Sequence, residues 1–212
     1  MTLPIHLPPA QARFSMRPDG GSDGGFDEAV EGQYRVDTGM AWAVKDSFLR
    51  YVQGSGGSIT VLEPAGVTAA PEFHFPIADQ SNFDPAAGEG HIRFAGGVTF
   101  TAHGGMLRIA FCDPVIRFGD GVQLLADVEH TTELPIAELR LPEPSSIDGV
   151  RMWRDASAIL LPHAVALFGG SYAAGEQLAP LTLRVELHVK ARGTHSDLVS
   201  LNEVRTDQTS HD

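Results

Sequence analysis

Residues 91–118 read HIRFAGGVTFTAHGGMLRIAFCDPVIRF, and this stretch decides the fold class. Ile92, Phe94, Val98 and Phe100 recur with a period of two on one face, while Thr99, Thr101 and His103 point to the other. Successive side chains of a strand alternate between faces, so the pattern is that of strands with one face buried. Gly96-Gly97 offers a bulge or bend between the two halves. Outward from here, VQLLADVEH, PIAELRL and LTLRVELHV follow downstream, each bounded by Gly, Asp or Pro, and Ile59–Leu62 and Glu72–Phe75 are short strand candidates upstream. Strands this dense with short turns argue for an antiparallel sandwich or barrel. The expectation adopted is a mainly β protein: an antiparallel β-sandwich over about residues 55–190, with one or two short helices at one end.

The period changes upstream, in TGMAWAVKDSFLRYVQGSGG (residues 38–57). Val44, Phe48, Tyr51 and Val52 make an apolar stripe at helical spacing, which predicts a helix over residues 40–53. Thr38 or Asp37 is placed to cap it, and Gly54 to end it. On that stripe Tyr51 falls on the buried face, one turn before the helix stops. A second short helix is expected from Pro162 to Gly170, with the proline in its first turn. Residues 1–37, with the run PDGGSDGG, read as an extended or mobile arm; 38–191 as the folded domain; 192–212 as a polar tail.

Composition narrows the function classes. The net charge is −12, with 15 Lys and Arg against 27 acids, which disfavours nucleic acid and anionic membrane surfaces as partners. Cys112 is the sole cysteine, so an intramolecular disulfide or a thiolate cluster from one chain is excluded; within IAFCDPVI it reads as a small core residue. The longest apolar stretch, AILLPHAVALFGG, is broken by Pro162 and His163 and is too short to span a bilayer. The start, MTLPIHLPPAQARFSMRPDGG, lacks a basic segment followed by an apolar core, so no secretory signal is expected. The sequence as written reads as cytoplasmic; a trimmed form would belong to the cell envelope or be secreted.

Taken singly, the chemistry-bearing residues have plain structural readings. His103 in FTAHGG reads as a half-exposed turn histidine, Tyr51 as a core tyrosine with a backbone partner, and Tyr172 in FGGSYAAGEQLAP as a loop aromatic covering the core. Trp153 in VRMWRDAS reads as a core or lid aromatic. Metal-dependent hydrolysis would need His74, His91 and His103 with Asp84 or Glu89, yet no H-x-x-x-H or H-x-H pair exists.

Taken together, AWAVKDSFLRYV, GGVTFTAHGGMLRIAFCDPVIRF, the acidic strand LLADV and LFGGSYAAGEQLAPLTL occur here in one order. In this the chain resembles the HtaA domain, the haem-binding unit repeated in cell-envelope haem-uptake proteins of certain Gram-positive bacteria. The resemblance covers about residues 38–190. It implies a non-enzymatic protein that holds ferric haem, for acquisition, trafficking or storage, with other haem carriers as partners and no membrane insertion. It implies that Tyr51, ending the W-x-V-K-x-S-F-x-x-Y segment, ligates the iron. His103, in F-T-x-H-G-G, would hydrogen-bond that tyrosine, and Tyr172, in Y-x-x-G, would stand beside the haem. Phe48, Phe100 and Phe168 are the nearest candidates to wall a flat apolar slot. The family pattern also includes a secretion signal, a membrane anchor and a second domain copy, none of which is expected here. The reading of another class is a ligand-free structural or adhesive β-sandwich, in which the tyrosine and histidine motifs have separate structural jobs.

A phenolate is a hard anionic oxygen donor suited to ferric iron, and tyrosine is an established axial haem ligand. A free phenol ionises near about pH 10, and coordination to a cation stabilises its anion. An imidazole donating to the phenolate oxygen would orient it and weaken its donation to iron.

Overall fold

The computed structural model describes the strand Gln11–Phe14 and residues 38–187. The expected arm and tail otherwise lie outside the described residues. In chain order the elements are β1 (Gln11–Phe14), β2 (Gly39–Trp42), α1 (Asp46–Gly54), β3 (Ser58–Leu62), β4 (Gly66–Val67), β5 (Phe73–Asp79), β6 (Gly90–Phe94) and β7 (Gly97–Ala102). They continue with β8 (Leu107–Phe118), β9 (Val122–Val128), β10 (Thr131–Arg140), β11 (Ser145–Ile147), β12 (Val150–Leu160) and β13 (Leu181–Glu186). Two 3₁₀ helices, His103–Gly105 and Pro162–Phe168, complete the set.

The period-two stretch behaves as its pattern requires. Ile92, Phe94, Val98 and Phe100 are buried, and Thr99 and Thr101 remain partly exposed. β6 and β7 pair the same edge of the long β8, β6 with its second half (Arg93↔Val115) and β7 with its first (Gly97↔Cys112). The β6–β7 side carries one extra residue between those pairs, a bulge that bends the strand. Gly96 stands in this bend at φ +91°, where a Cβ would meet the backbone nitrogen of Ala65 at 2.4 Å, so glycine is required. Asp113 closes the bend from across the ladder: its amide donates to the Gly96 carbonyl (2.8 Å), and its carboxylate accepts from the Gly96 amide (3.1 Å).

The sheet closes on itself, which replaces the expected sandwich. The strands run β8–β6–β5–β2–β13–β12–β10–β9, and β9 pairs β8 again (Cys112↔Asp127, Val115↔Leu125). Every ladder is antiparallel. Two facing sheets would leave open edges, whereas here β8 is paired on both sides beyond Cys112 and the circuit has none. From the first half of β8, β7, β3 and β1 extend as a flap outside the closed circuit.

One reading of the sequence is corrected here. The helix expected over 40–53 begins only at Asp46; Gly39–Trp42 is a strand between β13 and β5. Thr38 therefore precedes a strand and caps no helix. Val44 separates strand from helix at φ 61°, a strained conformation for a β-branched residue. Its carbonyl accepts from the Ala179 amide at 2.9 Å, which helps hold it there. The other difference is a strand the sequence reading did not name, β12, whose VRMWRDAS half carries an irregularity at Asp155 (φ 54°) that hides its alternation; Trp153 within it is buried, as a core aromatic would be.

The core is apolar throughout the described residues, with no polar or charged side chain among its buried members. Each fully buried Phe or Leu in such a core contributes about 1.5–3 kcal/mol. No helix among the described residues is long and apolar enough to cross a membrane.

Candidate functional site

α1 packs on β3 and β7 through Phe48 and Val52, both buried. Tyr51 does not share that face: 47% of it is exposed, so its expected burial is corrected. The buried pair at spacing four defines the inward line, and Tyr51, one position earlier than Val52, leans off it. Its backbone is pinned at the helix end, where the amide and the hydroxyl of Ser55 both donate to the Tyr51 carbonyl, at 3.0 and 2.7 Å.

His103 arrives at the same end of the flap, where Thr101 of β7 pairs Ser58 at the start of β3. β7 ends at Ala102, and the chain turns through His103 (φ 51°) and Gly104 (φ 66°) into β8. The left-handed geometry turns the imidazole, exposed, toward α1. The Tyr51 hydroxyl and His103 Nε2 share a hydrogen bond of 2.7 Å, and their ring centres lie 5.6 Å apart. Residues 52 positions apart in sequence thus meet in one acid–base pair facing solvent.

The other sequence-predicted residues gather beneath and beside this pair. Phe48 contacts Phe100 and Phe168 edge-on, with ring centres 5.1 and 5.2 Å apart, and Phe168 contacts Tyr172 at 5.7 Å. Phe48, Phe100 and Phe168 are core residues, and only Tyr172 of this cluster reaches the surface. The Tyr172 hydroxyl bonds Ser47 Oγ at 2.9 Å. Ser47 and Tyr51 are four apart on α1 and share a face, so Tyr172 stands one helical turn from the Tyr51 phenol.

Three residues here escaped the sequence reading. Lys45 ion-pairs with Glu176 at 3.0 Å, donates to the Gln177 carbonyl at 2.7 Å, and lies 4.9 Å from the centre of the Tyr172 ring. Ser47 and Glu176 complete the connection. The available signal was the Lys and Ser of the helix motif and the Glu that follows SYAAG.

Cavities among the described residues include one of about 600 Å³ at the start of α1, lined by Lys45, Ser47 and Arg50, and one of about 870 Å³ around residues 77–86. Neither is lined by Tyr51 or His103. No three His, Cys, Asp or Glu side chains among the described residues gather as metal donors. Burial pushes the Cys112 thiol above its ordinary range, in keeping with a packing role.

A closed antiparallel barrel with an exposed tyrosine–histidine pair on its flap defines the class, and comparison with known proteins supplies the family. The sequence model of the HtaA family, described as Htaa, matches residues 37–184, and the chain belongs to that family. The fold is similar to the C-terminal domain of HtaA from Corynebacterium glutamicum, at 26% identity and a TM-score of 0.60, covering 70% of this chain and 95% of that one. It is also similar to the heme binding protein HtaB from the same organism, at 24% identity and a TM-score of 0.58, over 70% and 92%. A domain-swapped dimer of a variant of that C-terminal domain matches at 24% identity and a TM-score of 0.53, over 79% and 100%. No curated protein matches the sequence.

Proposed function

We propose that this chain binds ferric haem, with Tyr51 as the axial ligand and His103 as the partner that holds the phenol. The role is carriage in haem acquisition, trafficking or storage, with other haem carriers as donors or acceptors, and no reaction is catalysed. One observation carries the reading: the Tyr51 hydroxyl, on a residue 47% exposed, is held at 2.7 Å by His103 Nε2. A phenol kept for packing would be covered, and one kept for solubility would need no imidazole. Membership of the HtaA family supports the same ligand, and the structural neighbour HtaB is a heme binding protein.

The donor set fits the group. Bound ferric haem would supply a hard cation to which a phenolate oxygen is matched. Tyr51 presents that oxygen at the surface, and His103 takes up or shares its proton at Nε2. A neutral imidazole Nε2 accepts the phenolic proton, and the resulting imidazolium then donates back to the oxygen, so the charge separation stays within one hydrogen bond. Tyr172, backed by Phe168 and Phe48, offers an aromatic wall one turn away. Tyr51 and His103 are both exposed, so a planar ligand meets an open face.

A hemin titration followed by absorbance, on wild type and on Tyr51→Phe, tests the proposal. The expected result is a saturable Soret change in wild type that largely disappears in the variant. An unaltered Tyr51→Phe titration would assign the iron to another residue. No change in wild type would favour a ligand-free β module.

A further inference from the structure

Tyr172 is carried by a loop with little secondary structure of its own, between Phe168 and β13. Gly169 and Gly170 stand at φ 65° and 69°, and Gly175 at φ 85°, all left-handed, so the backbone there is glycine-dependent. Such a segment keeps one shape only if something outside it fixes it. β12 holds the far part of the loop, where the Gly175 and Leu178 amides donate to the Leu160 and Ala158 carbonyls at 2.8 and 2.9 Å and the Leu160 amide donates to the Glu176 carbonyl at 2.9 Å. The contacts on the Tyr172 side chain and on Glu176 and Ala179 come from one short stretch, Trp42 to Ser47, which also begins the helix bearing Tyr51. Trp42 Nε1 donates to the Ala179 carbonyl at 3.0 Å, and the Ala179 amide donates to the Val44 carbonyl at 2.9 Å. Lys45 reaches the Glu176 carboxylate, the Gln177 carbonyl and the face of Tyr172, and Ser47 holds the Tyr172 hydroxyl. The Lys45 side chain is only 15% exposed, so its contacts are less screened than those of a surface ion pair.

We infer that Lys45 and Ser47 are positioning residues: they clamp the Tyr172 loop to the ligand-bearing helix and thereby set how fast haem leaves. The inference rests on the haem reading above and adds a release-rate device to it. Lys45 acts on one side of the ring, through charge and cation–π contact, and Ser47 fixes the hydroxyl in the ring plane. Together they leave Tyr172 little rotational freedom beside the open face. Because the clamp and the Tyr51 backbone belong to one continuous segment, the wall and the ligand are placed by the same piece of chain. Loosening the clamp frees the wall without touching Tyr51 or His103.

The experiment compares wild type, Lys45→Met, Lys45→Arg and Ser47→Ala, each alone and with Tyr172→Ala. Hemin dissociation is measured by transfer to an excess of a haem-scavenging apoprotein, and the bound spectrum is recorded alongside. Lys45→Met keeps the aliphatic stem and loses the charge. It is expected to speed dissociation by roughly 3–10-fold, the range that one ordinary hydrogen bond represents, with the bound spectrum nearly unchanged because Tyr51 and His103 remain. Lys45→Arg retains the cation and should restore most of the slow release. In the Tyr172→Ala background, Lys45→Met and Ser47→Ala should add little, since both act through that ring. Amide exchange of residues 171–174 in the hemin-free protein should rise in Lys45→Met. Unchanged dissociation in Lys45→Met, or full additivity with Tyr172→Ala, would overturn the clamp while leaving haem binding in place. Failure of wild type to bind hemin overturns the haem reading and the release device with it.

Discussion

Two polar constellations sit on opposite kinds of ground in this protein. On the barrel wall, Glu133 of β10 accepts from Arg93 of β6 and from Arg117 of β8, each at 2.7 Å, and the Glu133 amide donates to Asp127 of β9 at 2.8 Å. On the flap, Tyr51 and His103 share one hydrogen bond. At the wall the charges answer one another, and the arrangement bridges four strands of the closed circuit. At the flap the phenol and imidazole, both exposed, bond each other among the described residues. Saturated polar groups staple a structure, and groups with spare bonding capacity are the ones available to a ligand.

The comparison breaks most directly at Tyr51. Tyr51→Phe keeps the ring and removes the oxygen, so hemin binding should largely vanish while thermal stability changes by less than about 1 kcal/mol, as expected for a half-exposed hydroxyl. Parallel hemin and melting measurements check both halves. Next comes His103→Ala, for which hemin affinity should fall by about 10–100-fold, with a shifted spectrum because the phenolate donates more charge without its partner. Water entering the space left by the imidazole would restore part of that bond and soften the loss. If His103→Ala abolished binding while Tyr51→Phe spared it, the two roles would be exchanged.

The wall should respond in the opposite way. Glu133→Ala strands two arginines and is expected to cost about 0.5–1.5 kcal/mol of stability by denaturant unfolding, with hemin affinity unchanged. A smaller effect is its pH dependence. The Arg93 hydrogen bond, aided by the charges of Arg93 and Arg117, holds the Glu133 carboxyl below its ordinary value. A lowered native pKa gives stability that is fully present above the unfolded value, about 4.3, and is lost as pH falls through the native one. Wild type should therefore lose more stability than Glu133→Ala on acidification below about pH 4.3. Parallel acid profiles of the two proteins would put the clasp elsewhere.

The contrast also explains what the sequence made legible. The flap was readable because its elements are local: Val98 and Phe100 alternate with Thr99 and Thr101, and the FTAHGG turn follows at once. The meeting of Tyr51 with His103 came from family resemblance, since no local pattern links residues so distant. Barrel closure was not readable, because it depends on β8 pairing both β6 and β9, a matter of sheet curvature. β2 was taken for helix because Met40, Trp42 and Val44 run straight into the helical spacing of Phe48 and Val52. A strand buried on both faces shows no alternation to contradict that. Tyr51 was placed inside by the same over-long helix. Lys45 looked like an ordinary charged residue, and only the folded loop shows what it grips.

The division of β8 at Cys112 has a mechanical meaning. Beyond that point the strand is clasped on both edges, by β6 and β9; before it, the ladder runs to β7 alone. The imidazole of His103 thus rides the tip of a cantilever whose root is the barrel and whose pivot is the bend at Gly96. The flap is four strands wide and buries Val98, Phe100 and Ile109 in the same core as the barrel, so a load at the tip is shared with that core. Grip and frame therefore share one packed interior, and a substitution beneath the flap reaches both.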